Sequence, residues 1–348
     1  MNVRQTAIDY MKGTLVIGMV IAHALQLLTI PKGVFWLFST TVNLITFSGF
    51  FFCFGYVFYL SYLTKSFPEV RQKMIKTAWK SLLAYYVAGF ASFFLLSERF
   101  TGKPYPLTIN ELFQLLTFAK LAWVSEFLLT FFLITALVFV FFNSFKRLVD
   151  SPKAMLLLGV ASLLTAIFLP PDFVVGRPLK LLIGSKTEFV FPVIQYLPPF
   201  LLGLYCSKYK VVWNWTIFGV SASGTALFVG YYLYNRAMPT EFLPSIYWLV
   251  GSYGILYVYF LAAKWLERRA SSQQWLLSIG RNTLFYLLLS NFMLFSISNH
   301  LQTTSLIATA VGVTVILATG FLISLITQPA QSTGASQSKE KPLAEQPL

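Results

Sequence analysis

The residues of this chain best suited to chemistry lie in one apolar segment near the N-terminus, IDYMKGTLVIGMVIAHALQLL. Positions 9, 12, 16, 19 and 23 repeat at the spacing of three and four that marks one face of a helix. Asp9, Lys12 and His23 are therefore predicted to point the same way. Imidazole titrates near neutral pH, which suits it to accept and return a proton. The pattern predicts a general base inside an apolar helix, on the same face as two charged groups.

The distance along that helix places His23 deep in a bilayer. Eleven residues separate it from Lys12, which at 1.5 Å per residue is about 16 Å, roughly half the hydrocarbon thickness. An ionisable side chain near the midplane costs at least about 2.5 kcal/mol and is interpreted as functional by default. The alternative interpretation is that His23 only hydrogen-bonds a neighbouring helix.

A second candidate, Glu126, lies just inside the outer end of another apolar segment, WVSEFLLTFF. A carboxylate at that depth is suited to hold a protonated imidazole, and the alternative is an interface residue that reaches headgroup water. The remaining histidine, His300, lies in the polar turn SNHLQTT and is predicted to be solvated. The polar residues predicted to line the same cavity as His23 are Asn43, Ser48, Gln195, Ser290 and Asn291.

The composition is that of an integral membrane protein. Hydrophobic residues make up 57% of the chain and charged residues 11%, with a mean hydropathy of +0.69, whereas soluble domains carry about 25% charged residues. We predict an all-α, polytopic fold in which about ten transmembrane helices form one bundle in the lipid bilayer. The predicted spans lie near 13–31, 35–62, 79–97, 123–143, 154–169, 189–206, 213–234, 243–264, 279–298 and 305–326. Glycines in these spans, including Gly55, Gly203 and Gly219, are predicted to let helices approach closely.

The net charge of +14 marks a membrane face and does not indicate a nucleic-acid partner. The 26 basic residues fall between the apolar segments, and a cytoplasmic N-terminus puts most of them inside, as the positive-inside rule requires. We therefore predict a multi-pass protein of the plasma or inner membrane with both termini cytoplasmic. Residues 1–327 form the membrane domain, and 328–348, which lack aromatic residues, are predicted to be a disordered cytoplasmic tail.

A cytoplasmic basic segment and two outer segments flank the predicted spans. Lys73, Lys76 and Lys80 share one helical face, where they suit a phosphate-bearing ligand or, alternatively, only set the topology. The outer segments near 98–122 and 170–188 are predicted to roof an external pocket. Cys53 and Cys206 lie on different helices without metal-binding spacing, so no metal is expected.

These motifs resemble the membrane acyltransferase type 3 family. AIDYMKGTLVIGMVIAH is similar to its opening signature, an acidic residue, a basic residue followed by glycine, and a histidine eleven places after the basic residue. Further similar segments follow in the family's order along nearly the whole membrane region: FFFCFGYVF, KMIKTAWKSLLAYY, SEFLLTFFLI, YLPPFLLGLY and SIGRNTLFYLLL.

The resemblance implies about ten membrane helices and transfer of an acyl group, often acetyl from acetyl-CoA, to a hydroxyl of a glycan or lipid-linked acceptor. Another acyl-CoA is the alternative donor, and no metal is implied. His23 matches the family's essential histidine and is expected to act as the catalytic base, with Glu126 as its catalytic partner. The residues expected to bind the donor are Lys12, Lys73, Lys76 and Lys80.

The chain departs from the family pattern at several positions. Lys12 stands where arginine is usual, and lysine makes no bidentate phosphate contact. Leu289 stands where a second histidine often follows a Tyr-Leu pair, Phe54 replaces serine, and Glu126 replaces tryptophan. Either Glu126 takes over the missing function, or the activity is lost or altered. The alternative function is a non-enzymatic exporter or flippase for a glycan or lipid intermediate, whereas a small-solute transporter lacks support because no internal repeat is present.

Overall fold

The computed structural model describes residues 6–101, 108–118, 125–168, 181–184, 191–241, 243–269 and 273–327, and the regular elements among them are helical. The prediction of an all-α chain is confirmed. The helix that begins at Gly33 ends in a π-helical turn, Tyr59–Leu63. The α-helices are α1 (Thr6–Leu28), α2 (Gly33–Phe58), α3 (Phe67–Thr101), α4 (Ile109–Leu116), α5 (Glu126–Val140), α6 (Phe142–Val149), α7 (Pro152–Phe168), α8 (Val193–Lys208), α9 (Trp215–Asn235), α10 (Ile246–Arg269), α11 (Gln274–Arg281), α12 (Thr283–Ser298) and α13 (Ser305–Thr327).

Several of these helices are long and apolar enough to cross a membrane. In the described part of the chain there are five, namely α1, α2 with its π-helical turn, α9, α10 and α13. The helices α5 and α6, bent by 91° at Phe141, count as a sixth if the pair is one span. The helices α7 and α12 are apolar but shorter. A membrane protein is supported, while ten spans in a single bundle are not confirmed.

The observed helix boundaries place Asp9 and Lys12 inside the first helix and divide one predicted span. The first helix begins at Thr6, so Asp9 and Lys12 lie within it, as their spacing predicts. The predicted span 279–298 is interrupted, because Asn282, between α11 and α12, has a non-helical backbone conformation. The predicted tail 328–348 lies outside the described residues, as does most of the outer segment near 170–188.

The helix that carries His23 lies at the centre of the described fold. It packs against α2, α10, α11, α12 and α13, and Met11, Val16, Val20 and Leu25 are fully buried. Its first turn is fixed by Glu267 of α10, whose Oε1 accepts hydrogen bonds from the Ala7 backbone N–H at 2.9 Å and from the Thr6 hydroxyl at 2.6 Å. A carboxylate at this position satisfies free backbone donors and complements the helix dipole. These contacts hold α1 in a fixed position for the polar residues that it carries.

Two glycines bring α2 and α8 into backbone contact. A Cβ atom added to Gly55 would lie 2.0 Å from the Phe200 carbonyl oxygen, and one added to Gly203 would lie 2.1 Å from that of Phe52. Only glycine permits such an approach. The predicted packing role is confirmed for both, but it is wrong for Gly219, where an added Cβ has nothing within 4 Å.

Side-chain contacts between different elements occur at two opposite ends of the described fold. At one end, the basic end, Lys146 of α6 donates to the Lys65 carbonyl oxygen at 2.9 Å, and Lys208 pairs with Asp150. At the opposite end, the Asn299 side chain donates to the Leu95 carbonyl oxygen at 2.8 Å. These contacts match the two sets of loops that the alternation of predicted spans separates.

Candidate active site

His23 is held by a hydrogen bond from a neighbouring helix. Its Nδ1 lies 2.9 Å from Oδ1 of Asn291 on α12, a helix that packs against α1. With Oδ1 as the acceptor, Nδ1 carries the ring proton and Nε2 keeps its lone pair. Asn291 is buried, whereas His23 is half-buried. The arrangement therefore presents a fixed imidazole whose Nε2 can accept a proton.

The hydrogen bond between His23 and Asn291 joins two residues that are far apart in the sequence. Asn291 was predicted to line the cavity of His23, and the hydrogen bond agrees with that. Glu126 begins α5, which packs against α3 and α8, and its side chain is buried. Its role as the catalytic partner of His23 stays a prediction.

Two of the positions that depart from the family pattern, Leu289 and Phe54, are occupied by packing residues. Leu289 is partly buried against the hydrophobic core, two residues before Asn291. The Phe54 ring lies 5.0 Å from that of Phe131 and 5.5 Å from that of Phe200, centroid to centroid. Both side chains fill apolar space. The polar contact that the structure shows for His23 comes instead from Asn291.

A cluster of charges lies on α1 at the basic end. The Lys12 Nζ is 2.8 Å from Oδ1 of Asp9, and Nε of Arg281 is 3.8 Å from Oδ2 of the same carboxylate. The Asp9 side chain is only 6% exposed, whereas those of Lys12 and Arg281 are 21% and 39% exposed. Among the described residues, two cations beside one carboxylate leave a net positive charge, with both cations open to an anionic ligand.

Arg281 reaches this cluster because α11 touches the backbone of α1. A Cβ atom added to Gly280 would lie 1.8 Å from the Asp9 carbonyl oxygen, and one added to Gly13 would lie 2.5 Å from that of Leu276. Sequence reasoning did not assign Arg281 to the donor site. Its place at the start of the predicted span 279–298, on the same side as Lys12, was the available signal.

The three lysines of α3 occupy solvent-exposed positions. Lys73, Lys76 and Lys80 are all exposed, and the Lys73 Nζ lies 5.4 Å from the centre of the Tyr62 ring. The helix packs against α5 and α12. Their accessibility suits an anionic ligand or lipid headgroups, and donor binding by them stays a prediction.

A second polar group lies at the opposite end and includes a carboxylate that sequence reasoning missed. Glu241, in the connection between α9 and α10, accepts a long hydrogen bond of 3.5 Å from the Asn43 side chain. Burial raises the pKa of the Glu241 carboxyl to about 7, and the hydrogen bond from Asn43 partly opposes this shift. No sequence pattern indicates this carboxylate, because its position falls outside the long apolar helices.

Replacing Glu241 with glutamine is expected to stabilise the protein in a pH-dependent way. A carboxyl whose pKa rises from 4.5 to about 7 on folding destabilises the fold progressively as the pH rises between these values, by no more than about 3 kcal/mol. The gain in Tm for Glu241→Gln over wild type should be small near about pH 5 and largest above about pH 7. A gain that is the same at every pH would contradict this account, which thermal unfolding in detergent can test.

The described residues contain no identifiable set of metal ligands. No group of three or more histidine, cysteine, aspartate or glutamate side chains there is arranged to hold a metal ion. Cys53 and Cys206 are both buried free thiols.

Comparison with models of known families identifies a family for this chain. A family model described as "Acyltransferase domain" matches residues 5–328, a range that contains His23, Asn291, Lys12 and Arg281. A search among curated proteins found no significant similarity.

Proposed function

The chain belongs to the acyltransferase type 3 family, and from this premise we propose that it is an O-acyltransferase that moves an acyl group from acetyl-CoA or another acyl-CoA to a hydroxyl. The acceptor is a glycan or a lipid-linked molecule of the cell envelope. The observation that carries the proposal is the hydrogen bond between His23 and Asn291, because it fixes an imidazole inside the segment that bears the family signature.

In the proposed reaction His23 is the general base. Its Nε2 takes the proton of the acceptor hydroxyl as that oxygen attacks the thioester carbonyl carbon, and the carbon–sulfur bond then breaks. The proton passes from Nε2 to the departing sulfur, which leaves as free CoA. Asn291 keeps Nδ1 as the protonated nitrogen through the hydrogen bond of 2.9 Å and favours the imidazolium that forms transiently.

The donor is proposed to bind at the basic end, with its phosphates near Lys12 and Arg281. Both cations are partly exposed beside the Asp9 carboxylate, and phosphate oxygens form strong charge-assisted hydrogen bonds with such groups. About 16 Å separates Lys12 from His23 along α1. CoA carries its thioester at the end of a long flexible arm, so phosphates and thioester can occupy these two places. Lys73, Lys76 and Lys80 are proposed to attract the donor to this end.

The basic end is proposed to face the cytoplasm, with the protein in the plasma or inner membrane. The positive-inside rule supports this orientation, and acyl-CoA is a cytoplasmic donor. Both termini are then cytoplasmic, and the end with Glu241 faces outward.

Arg281→Ala is expected to weaken donor binding more than it slows the chemical step. Loss of one charge-assisted contact to phosphate should raise the KM for acyl-CoA about tenfold or more, with a smaller effect on kcat. The exposed Arg147 of α6 supplies the matched control, because Arg147→Ala removes the same charge without touching Asp9. Equal KM values for Arg281→Ala and wild type would remove Arg281 from the donor site.

An exporter or flippase of a glycan or lipid intermediate is the second candidate. The observation in its favour is Leu289, an apolar packing residue where relatives often carry a histidine. This function predicts translocation without consumption of thioester.

The nature of the acceptor can be tested in cells. Glycan and lipid fractions of the envelope from a deletion strain and its complemented counterpart are compared by mass spectrometry. The proposal expects one species to lose an acyl increment in the deletion strain and to regain it on complementation. Unchanged masses in every fraction, together with accumulation of an intermediate on the cytoplasmic side, would favour the exporter.

A further inference from the structure

The polar group around Glu241 is under-satisfied in the described structure. The Glu241 carboxylate accepts a hydrogen bond from the Asn43 side chain at 3.5 Å, near the limit for such a bond. The Tyr253 hydroxyl on α10 is buried and has no hydrogen-bond partner among the described residues. Glu241 and Tyr253 both lie within electrostatic range of the Tyr196 hydroxyl on α8, which places the three groups in the same region of the fold. Buried polar atoms that lack partners are costly and call for a polar ligand or water.

The side chains in this group suit a ligand rich in hydroxyl groups. A carboxylate accepts hydrogen bonds from two hydroxyls, an amide both donates and accepts, and a phenol does either. Toward the protein surface, Trp36 lies two helical turns from Asn43 on the same face of α2, and its ring centre is 6.0 Å from that of Tyr232. Both rings are half-buried, and a partly exposed aromatic face in the same region as hydroxyl-binding groups suits the apolar face of a sugar ring.

Polar residues at one-turn spacing lie between this group and His23. Gln26 lies one turn beyond His23 on α1, and its side chain donates to the Ser39 hydroxyl at 2.9 Å. Ser39 lies one turn from Asn43 on α2, on the same face. These residues therefore extend from Asn291 and His23 to Asn43 and Glu241 in the half of the helices away from the basic end.

We propose that Asn43, Glu241 and Tyr253 form a subsite that binds the hydroxyl groups of a saccharide acceptor and so selects the molecule that His23 acylates. This inference rests on the proposed function for the acylation step, but the binding step stands independently of it. The donor then approaches from the basic end and the acceptor from the opposite end, and the two meet at His23.

Saccharide binding without any acyl donor tests the subsite. Full-length protein in lipid nanodiscs is titrated with a panel of methyl glycosides of hexoses, deoxyhexoses and N-acetylhexosamines, and binding is measured by calorimetry. Wild type is expected to bind at least one member. Glu241→Gln and Tyr253→Phe, which preserve shape, should each lower that affinity about tenfold or more. Glu69→Gln, which changes an exposed carboxylate at the start of α3, should leave the affinity unchanged.

Two results would overturn the subsite: no binding of any panel member by wild type, or equal affinities for wild type, Glu241→Gln and Tyr253→Phe. The fate of acetyl-CoA separates the subsite from the proposed function. Binding that depends on Glu241 without thioester consumption supports the subsite and rejects acyl transfer. Transfer of acetyl to a saccharide that both variants support with wild-type acceptor KM rejects the subsite and retains acyl transfer.

Discussion

Replacing His23 with alanine is expected to lower the rate of acyl transfer by about two to four orders of magnitude, the usual contribution of a positioned general base. Without Nε2, the proposed reaction loses the base that takes the proton of the acceptor hydroxyl. The measurement is kcat from release of CoA at saturating donor and acceptor. His300→Ala is the matched control, because it removes the other histidine of the chain, which is exposed in the turn after α12.

A substitution of Asn291 tests the observed hydrogen bond to His23 through the same measurement of kcat. Asn291→Ala removes the hydrogen bond that fixes the His23 ring, which should lower kcat about tenfold to a hundredfold. Adding this change to His23→Ala should have no further effect, because residues that act as a unit are not additive. A His23→Ala protein that retains wild-type kcat would contradict the role of the imidazole. If Glu126→Gln alone lowered kcat while Asn291→Ala did not, Glu126 would be the partner.

Replacing Gly55 with valine is expected to prevent the membrane domain from folding normally. The added Cβ would lie 2.0 Å from the Phe200 carbonyl oxygen and 2.9 Å from its carbonyl carbon, so α2 and α8 would have to separate. Overpacking of a close contact costs about 1–3 kcal/mol and occasionally more, and contact with rigid backbone places Gly55 at or above the upper end. We expect little monodisperse protein after extraction and a clearly lower Tm.

Gly219→Val is the matched control for this change. Gly219 also lies within an apolar helix, so both variants carry the same penalty for valine in a helix, but a Cβ at Gly219 has nothing within 4 Å. Its Tm should stay close to that of wild type. A Gly55→Val protein as stable as Gly219→Val would show that the α2–α8 contact is looser than the structure has it.

The sequence predicts the features that depend on residues close together along one helix. The spacing of Asp9, Lys12 and His23 predicts their shared face on α1, and the apolar segments predict an all-α membrane fold. The family resemblance is confirmed over residues 5–328, whereas the role of base that it implies for His23 stays a prediction. The predictions of the shared face and of the all-α fold succeed because helical periodicity and hydrophobicity are local properties.

Features that depend on packing between distant segments could not be predicted from periodicity. Asn291 meets His23 only because α12 packs on α1, and Arg281 meets Asp9 only because Gly280 allows α11 to touch the α1 backbone. Similarly, Gly55 and Gly219 both lie within apolar segments. An added Cβ would collide with a neighbouring helix at Gly55, whereas at Gly219 it would have nothing within 4 Å. The 91° bend between α5 and α6 could not be predicted either, because no proline lies at the bend.

The most direct test of the account is whether the protein in sealed vesicles couples acyl transfer to thioester cleavage. Vesicles that contain wild-type protein or His23→Ala are supplied with acetyl-CoA carrying a labelled acetyl group, together with envelope extract as the source of acceptor. The account predicts that wild type releases one free CoA for each labelled acetyl group that appears on a non-CoA product, and that His23→Ala does neither above the rate of empty vesicles. Translocation of an envelope glycan or lipid by wild type without release of CoA would contradict it.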